Sequence, residues 1–237
     1  IAPGSLDKLF FRIAKEKPLV HHIINSAAQL LKPGGQLLLS GGKQQGIKTY
    51  AKNAALCLGG KQSIKKQGND YLAIITRGDS DTEPLDDKHY HQLRAFTQLN
   101  GVDLYSKPGQ YGWDKIDSGS QLLAEQLKSI MPYKKPNTLL DLGCGYGYLS
   151  LMAHRQFPEA QITATDNNAA ALLACNKNFE KNGIDGDVIA DNCASSLTGR
   201  YKLIISNPPF HQGFDVERDL TELFVSSARR LCHKNGM

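Results

Sequence analysis

The stretch "LIISNPPF" at 203–210 sets one asparagine between an apolar strand and two prolines followed by an aromatic. Proline donates nothing to a sheet ladder, so the strand should end at Asn207 and continue as a stiff, extended path. Such a path suits the capture of an amine. An exocyclic amine on a nucleobase is a poor nucleophile, because its lone pair is delocalised into the ring. Two acceptors that grip its hydrogens during attack remove the need for full deprotonation. Asn207 offers a side-chain oxygen, Pro208 a carbonyl, and Phe210 a face on which a base swung out of its helix can stack.

A second stretch, "DLGCGYG", places Gly143, Gly145 and Gly147 between an apolar strand and a helical pattern. Glycines there should let a ligand approach backbone amides at the helix N-terminus. Asp166 ends the next strand, "ITATD", where a carboxylate can accept both hydroxyls of a ribose. Asp141, at the mouth of the turn, would repel a pyrophosphate and welcome a cationic, phosphate-free ligand. S-adenosylmethionine meets that description.

These residues need a scaffold that brings strand ends together. After Gly112 the chain alternates strand-like and helical segments: "NTLLDLG", "YLSLMAHRQF", "AQITATD", "AAALLACNKNFEKNG", "GDVIADN" and "YKLIISN". That order predicts a parallel, doubly wound sheet with both motifs on its carboxyl rim. Before the polar stretch "GDSDTEPLDDK", the segment "HHIINSAAQLLKPGGQLLLSGG" reads as a helix, a Pro-Gly-Gly stop and a buried strand. The helix-and-turn spacing at 19–36 recurs at 220–237, which suggests two related units, with the second cut short before a completing strand.

Composition limits the rest. No run approaches the roughly 20 apolar residues of a membrane span, and no signal pattern opens the chain. The five cysteines are scattered without a CxxC pair, which points to no metal and a reducing cytoplasm. The net charge of +5 is concentrated early, since Lys17 to Asn69 holds eight lysines and no acid. Lys43, Lys48, Lys52, Lys61, Lys65 and Lys66 are the candidates for a polyanion-facing surface, set against an ordinary solvated face.

"DLGCGYG", "TATDNN", "ADN" and "IISNPPFHQG", with "KPGQYGWDKIDSGSQLL" upstream, resemble class I methyltransferases of exocyclic nitrogens. Within them the chain is similar to the bacterial ribosomal RNA guanine-N2 methyltransferases of the small-subunit methyltransferase C type. The resemblance implies an α/β fold of two tandem Rossmann-like methyltransferase domains, both truncated here. Residues 1–105 would be a degenerate domain serving structure or RNA binding, and 106–237 a catalytic domain. It implies S-adenosylmethionine contacts at Asp141, Gly143, Gly145, Gly147, Asp166, Asn167 and Asn192, with Gly119, Ser120 and Gln121 against the cofactor. Asn207, Pro208 and Phe210 would act on the target. The expected protein is a cytoplasmic monomer that methylates guanine N2 in ribosomal RNA or the small ribosomal subunit. Glutamine methylation in a protein is the alternative chemistry, and a non-catalytic RNA-binding or assembly factor the alternative class.

Overall fold

The computed structural model describes residues 1–79, 83–130, 135–208 and 214–237. The chain forms two compact units, Ile1–His91 and Gln92–Met237. Among the described residues no helix is long and apolar enough to cross a membrane.

The first unit runs β1 (Leu6–Arg12), α1 (Lys17–Leu30), β2 (Leu31–Gly42), a short 3-10 turn (Lys43–Gln45), α2 (Ile47–Cys57), β3 (Gln62–Gln67) and β4 (Asp70–Thr76). Its sheet has the order β1-β2-β4-β3. Only β1 and β2 are parallel, and the β3–β4 hairpin makes the sheet mixed. Pro18 in the first turn starts α1 without the loss of a hydrogen bond. Val20, Ile24, Ala27 and Leu31 follow at helical spacing, and all are fully buried. The Pro-Gly-Gly expected as a stop lies within β2, because the helix passes directly into the strand. Leu6 pairs with Leu31 and Lys8 with Gln36, so 32–35 bulge out of the ladder. The outer face of α1 anchors the segment that closes the unit. His21 Nδ1 meets Asp86 O at 2.8 Å, Asn25 exchanges two bonds with Leu85, and His22 pairs with Asp87 at 3.0 Å.

The second unit opens with a hairpin, β5 (Arg94–Leu99) and β6 (Val102–Ser106), followed by α3 (Ser118–Ile130). Then come β7 (Thr138–Leu142), α4 (Tyr148–Gln156), β8 (Gln161–Asp166), α5 (Ala169–Asn182), β9 (Gly186–Ala190), β10 (Leu203–Ile205) and α6 (Phe214–Leu231). The strands lie in the order β10-β7-β8-β9, all parallel. Leu139 and Leu203 face one core, and Leu140 and Leu142 face another, so the sheet is covered on both sides. Each strand and helix read from the sequence after Gly112 is present.

The compact units meet fourteen residues before the expected 105/106 boundary, so the β5–β6 hairpin falls within the second unit. Leu104 of β6 is fully buried in the same core as Leu139 and Ile162. Asn178 on α5, also fully buried, behaves as a partner strand for β6. Its Oδ1 accepts the Tyr105 amide at 2.7 Å, and its Nδ2 donates to Tyr105 O and Tyr146 O at 2.8 Å each.

The pairing of β1 with β2 recurs in the second unit. Tyr201 pairs in parallel with Cys232. Farther along both segments, Met237 donates to Lys202 O and accepts from Ile204 N, as Gln36 pairs with Lys8. Gly35 and Gly236 occupy matching positions, where a Cβ would stand 2.8 Å from Lys32 O and 2.9 Å from Tyr201 O respectively.

Because Asn178 satisfies three buried backbone groups, Asn178→Ala should cost about 2–4 kcal/mol of unfolding free energy. Denaturant titration checks this, and a loss within ~0.5 kcal/mol would show that water replaces the amide.

Candidate active site

In the second sheet the chain steps outward from β7 to β8 to β9, then returns to the other side of β7 as β10. This leaves a topological switch between β7 and β10, where the following loops part and open a crevice at the carboxyl ends. The described cleft lies there, with a volume of about 350 Å³. Gly143, Gly145, Asp166, Asn167, Asn207 and Pro208 border it, joined by Ser120 from α3.

The glycine turn is closed rather than open. Gly143 N and Cys144 N donate to Thr165 O at 2.8 and 2.9 Å, Gly145 N donates to Asp166 Oδ2 at 2.9 Å, and Gly147 N donates to Cys144 O at 2.8 Å. These amides are engaged inside the protein, so the expected ligand approach to them is corrected. The three glycines serve the turn itself, with φ of 77°, 55° and 86°. A Cβ at Gly143 would meet the Phe224 ring at 2.9 Å, and one at Gly147 the Cys175 sulfur at 2.8 Å. Only Gly145 opens toward free space, with Gln110 Oε1 at 4.0 Å.

Asp141 also lies elsewhere than expected. It is fully buried and does not border the cleft. Its Oδ2 accepts the Ser150 amide at 3.0 Å and hydroxyl at 2.6 Å, tying β7 to the first turn of α4. Burial pushes its carboxyl up from the ordinary 3.8 to about 7, against the lowering effect of the Ser150 bonds.

Asn207 is held from the side of α3. Its Nδ2 donates to Asp117 Oδ2 and to Ser120 Oγ, each at 2.8 Å. Ser206 Oγ donates to Leu142 O at 2.6 Å, which keeps the two motif-bearing strand ends together. Gly119 packs on the Asn207 amide, whereas Gln121 is exposed outside the cleft wall. Phe210, and Pro209 before it, lie outside the described residues.

Asp166 Oδ1 accepts the Asn168 amide at 2.8 Å, so both its oxygens brace backbone while it faces the cleft. Asn167 donates to Asn192 Oδ1 at 3.3 Å, and both are exposed; only Asn167 borders the cleft. Sequence reasoning missed Asp117, Gln110 and Asn168. Asp117 is the helix-capping acid of α3 in "DSGS", a legible N-terminus signal. Asn168 caps α5, accepting Ala170 N at 2.8 Å, and donates to Gly109 O at 2.7 Å. Gln110 is buried, and its Oε1 is without a partner among the described residues.

All six candidate lysines are exposed. Lys48 lies over the Tyr71 ring at 5.2 Å, and Lys66 pairs across from Tyr71, so these two share the α2 side of the sheet. Lys65 pairs with Leu72 and points to the opposite side.

A family model, the methyltransferase small domain, matches residues 101–237. The chain belongs to the methyltransferase small domain family. That match covers β6 through α6, which includes the whole cleft. The ribosomal RNA small subunit methyltransferase C of Enterobacter sp. (strain 638) is 30% identical over 97% of this chain and 64% of its own length. Its counterpart from Erwinia tasmaniensis is 30% identical over 94% of this chain and 62% of its own. The solved 16S rRNA N2 methyltransferase of T. thermophilus, in complex with AdoMet and guanosine, matches with a TM-score of 0.83 and 27% identity. That alignment covers 99% of this chain and 64% of the other. The chain therefore spans somewhat under two thirds of these relatives.

The methyltransferase cleft tests well against a cationic cofactor without phosphate. Its border includes Asp117, Asp166 and the unpartnered Gln110 Oε1, and no lysine or arginine among the described residues. A pyrophosphate would meet carboxylates and amides already bonded within the turn.

The Asp141 carboxyl gives the domain a pH signature. Its folded value lies above its unfolded one, so its contribution to stability is full below about pH 4 and is lost as pH rises toward about 7. Asp141→Asn keeps an acceptor for Ser150 without the charge. The melting temperature of the variant relative to wild type should therefore rise by several degrees between about pH 4.5 and 7.5. A difference independent of pH would show the carboxyl to be ionised throughout.

Proposed function

We propose that this chain carries the catalytic part of an enzyme that transfers a methyl group from S-adenosylmethionine to the exocyclic N2 amine of a guanine in small-subunit ribosomal RNA, in the cytoplasm. The observation that carries the reading is the Asn207 amide beside the glycine turn, with its amino group engaged by Asp117 and Ser120. Its oxygen is thereby left to accept. The names of the relatives and of the solved neighbour supply the substrate class.

When bound, the cofactor supplies an electrophilic methyl group on a sulfonium. Asp166 would hold its ribose, Asn167 and Asn192 would flank its base, and Ser120 and the Gly145 opening would border its path. Asp141, Gly143, Gly147 and Gly119 contribute by holding the walls, and Gln121 is left without a cofactor role. Asn207 Oδ1 and the Pro208 carbonyl grip the two amine hydrogens, so positive charge that develops on nitrogen meets preset acceptors. Phe210 stacks on the extruded base.

We further read the first unit as a degenerate copy of the second. The repeated strand–helix pairing, with matched glycines, supports this. Where Asn207 and Pro208 follow β10, Arg12 and Ile13 stand at the corresponding end of β1. The copy keeps the architecture and offers its lysines to RNA.

The test is transfer of labelled methyl from S-adenosylmethionine to small ribosomal subunits that lack the modification, with mapping of the modified base. Label should appear on guanine N2; label on protein would overturn the reading. Asn207→Ala should lower kcat by about 100-fold or more with little change in cofactor affinity.

For the RNA surface, the shared face of Lys48 and Lys66 makes a defined expectation. Lys48→Glu with Lys66→Glu should reduce the slope of log affinity against log salt by roughly 0.7–0.9 for each phosphate that is no longer neutralised. Lys65→Glu, on the opposite side of β3, should reduce it less. Equal slopes for wild type and the double variant would leave these lysines as a solvated, edge-protecting face.

A further inference from the structure

Two of the bonds that reach one oxygen of Asp117 have different explanations. Oδ2 accepts the Ser120 amide at 2.9 Å, which caps α3. It also accepts Asn207 Nδ2 at 2.8 Å, ninety residues away, which a cap does not require. The second hydrogen of the same amide goes to Ser120 Oγ at 2.8 Å. An asparagine side chain is nearly symmetric in shape, so its two orientations are separated only by hydrogen bonding. The reversed orientation would press Oδ1 against the carboxylate and aim the amino group at the cleft. A carboxylate only accepts, so reversal removes the bond to Asp117 and juxtaposes lone pairs. The Ser120 amide, against the opposing effect of burial and aided by Asn207, holds the Asp117 carboxyl below its usual range, which keeps it an acceptor at neutral pH. Gly119 leaves the room this arrangement needs, since a Cβ there would stand 3.1 Å from Asp117 Oδ2 and 3.5 Å from Asn207 Nδ2.

We propose that Asp117 is a positioning residue that fixes the Asn207 amide with its oxygen toward the cleft, presetting the acceptor for the target amine before the target arrives. The inference rests on the reading that Asn207 Oδ1 grips that amine. Asp117 borders the cleft, and this role is exerted on the Asn207 amide. It acts through Asn207 and moves no proton.

Three replacements separate this role from helix capping. Asp117→Ser keeps a capping oxygen but is too short to reach Asn207. Asp117→Asn keeps the length and an oxygen for both donors. Asn207→Ala removes the group being positioned. With undermodified small subunits and S-adenosylmethionine, Asp117→Ser should lower kcat roughly tenfold or more while the cofactor KM stays within about twofold. Its melting temperature should stay within a few degrees of wild type, because the cap survives. Asp117→Asn should retain turnover within about threefold of wild type, and in the Asn207→Ala background Asp117→Ser should add less than about twofold. Wild-type turnover in Asp117→Ser, or an equal loss in both backgrounds, would overturn the proposal and leave the role of Asn207 standing. Full activity in Asn207→Ala would instead overturn the reading on which the proposal rests, and the proposal with it. A further readout needs no Asp117 variant. The Asn207 side-chain amide protons, identified in a 15N spectrum by their loss in Asn207→Ala, should be protected from solvent exchange in the protein without ligand. A freely exchanging pair would overturn the proposal.

Discussion

The cleft depends on a turn that satisfies its own hydrogen bonds. Between β7 and α4 the chain reverses within five residues, and each buried amide in that reversal needs an acceptor. Thr165 and Asp166, at the end of the neighbouring strand, supply acceptors for Gly143, Cys144 and Gly145. The turn is thus locked to β8, and Asp141 locks the following helix to β7 through Ser150. Positive φ at the three glycines makes this path accessible with little strain. Because the amides are already bonded, the turn presents shape rather than a positive nest. That is why the site suits a ligand without phosphate.

The other wall follows a complementary logic. Proline after Asn207 removes a backbone donor from the strand end, and Asp117 with Ser120 takes both donors of the Asn207 side chain. Several acceptors border the same small volume: the Asn207 oxygen, the Pro208 carbonyl, Gln110 Oε1 and the Asp166 carboxylate. A cleft bordered by two carboxylates and by no lysine or arginine among its described residues favours a positively charged cofactor and an amine substrate over anions. One electrostatic bias therefore serves both partners of the proposed reaction.

The first unit carries the same strand–helix pairing with different residues at the strand end. Its β1–β2 register matches that of 201–203 with 232–237, yet the end of β1 carries Arg12 and Ile13. Its sheet is completed by an antiparallel hairpin whose edge strand carries exposed lysines. The pleat of that strand divides adjacent lysines between two sides, so a run that is continuous in sequence becomes two surfaces.

Sequence order alone determined the alternating elements of the second unit, the glycine turn, the acid ending β8 and the asparagine that follows β10. Each is a local consequence of periodicity, glycine or proline. The shared helix-and-turn spacing of 19–36 and 220–237 was legible too, because it needs only local periodicity. Direction was not legible. Asp141 and Asp166 are both acids at strand ends, but Asp141 points into the core and Asp166 toward the cleft, a difference set by strand pairing and by which helix packs above. Nor was the reach of Asp117 across ninety residues to Asn207, or of Asn178 across seventy-three to Tyr105, because such bonds exist only once separate elements have packed. The sequence named several of the groups that border the cleft. The tertiary structure decided which of their hydrogen-bonding atoms serve the fold and which are left for a ligand.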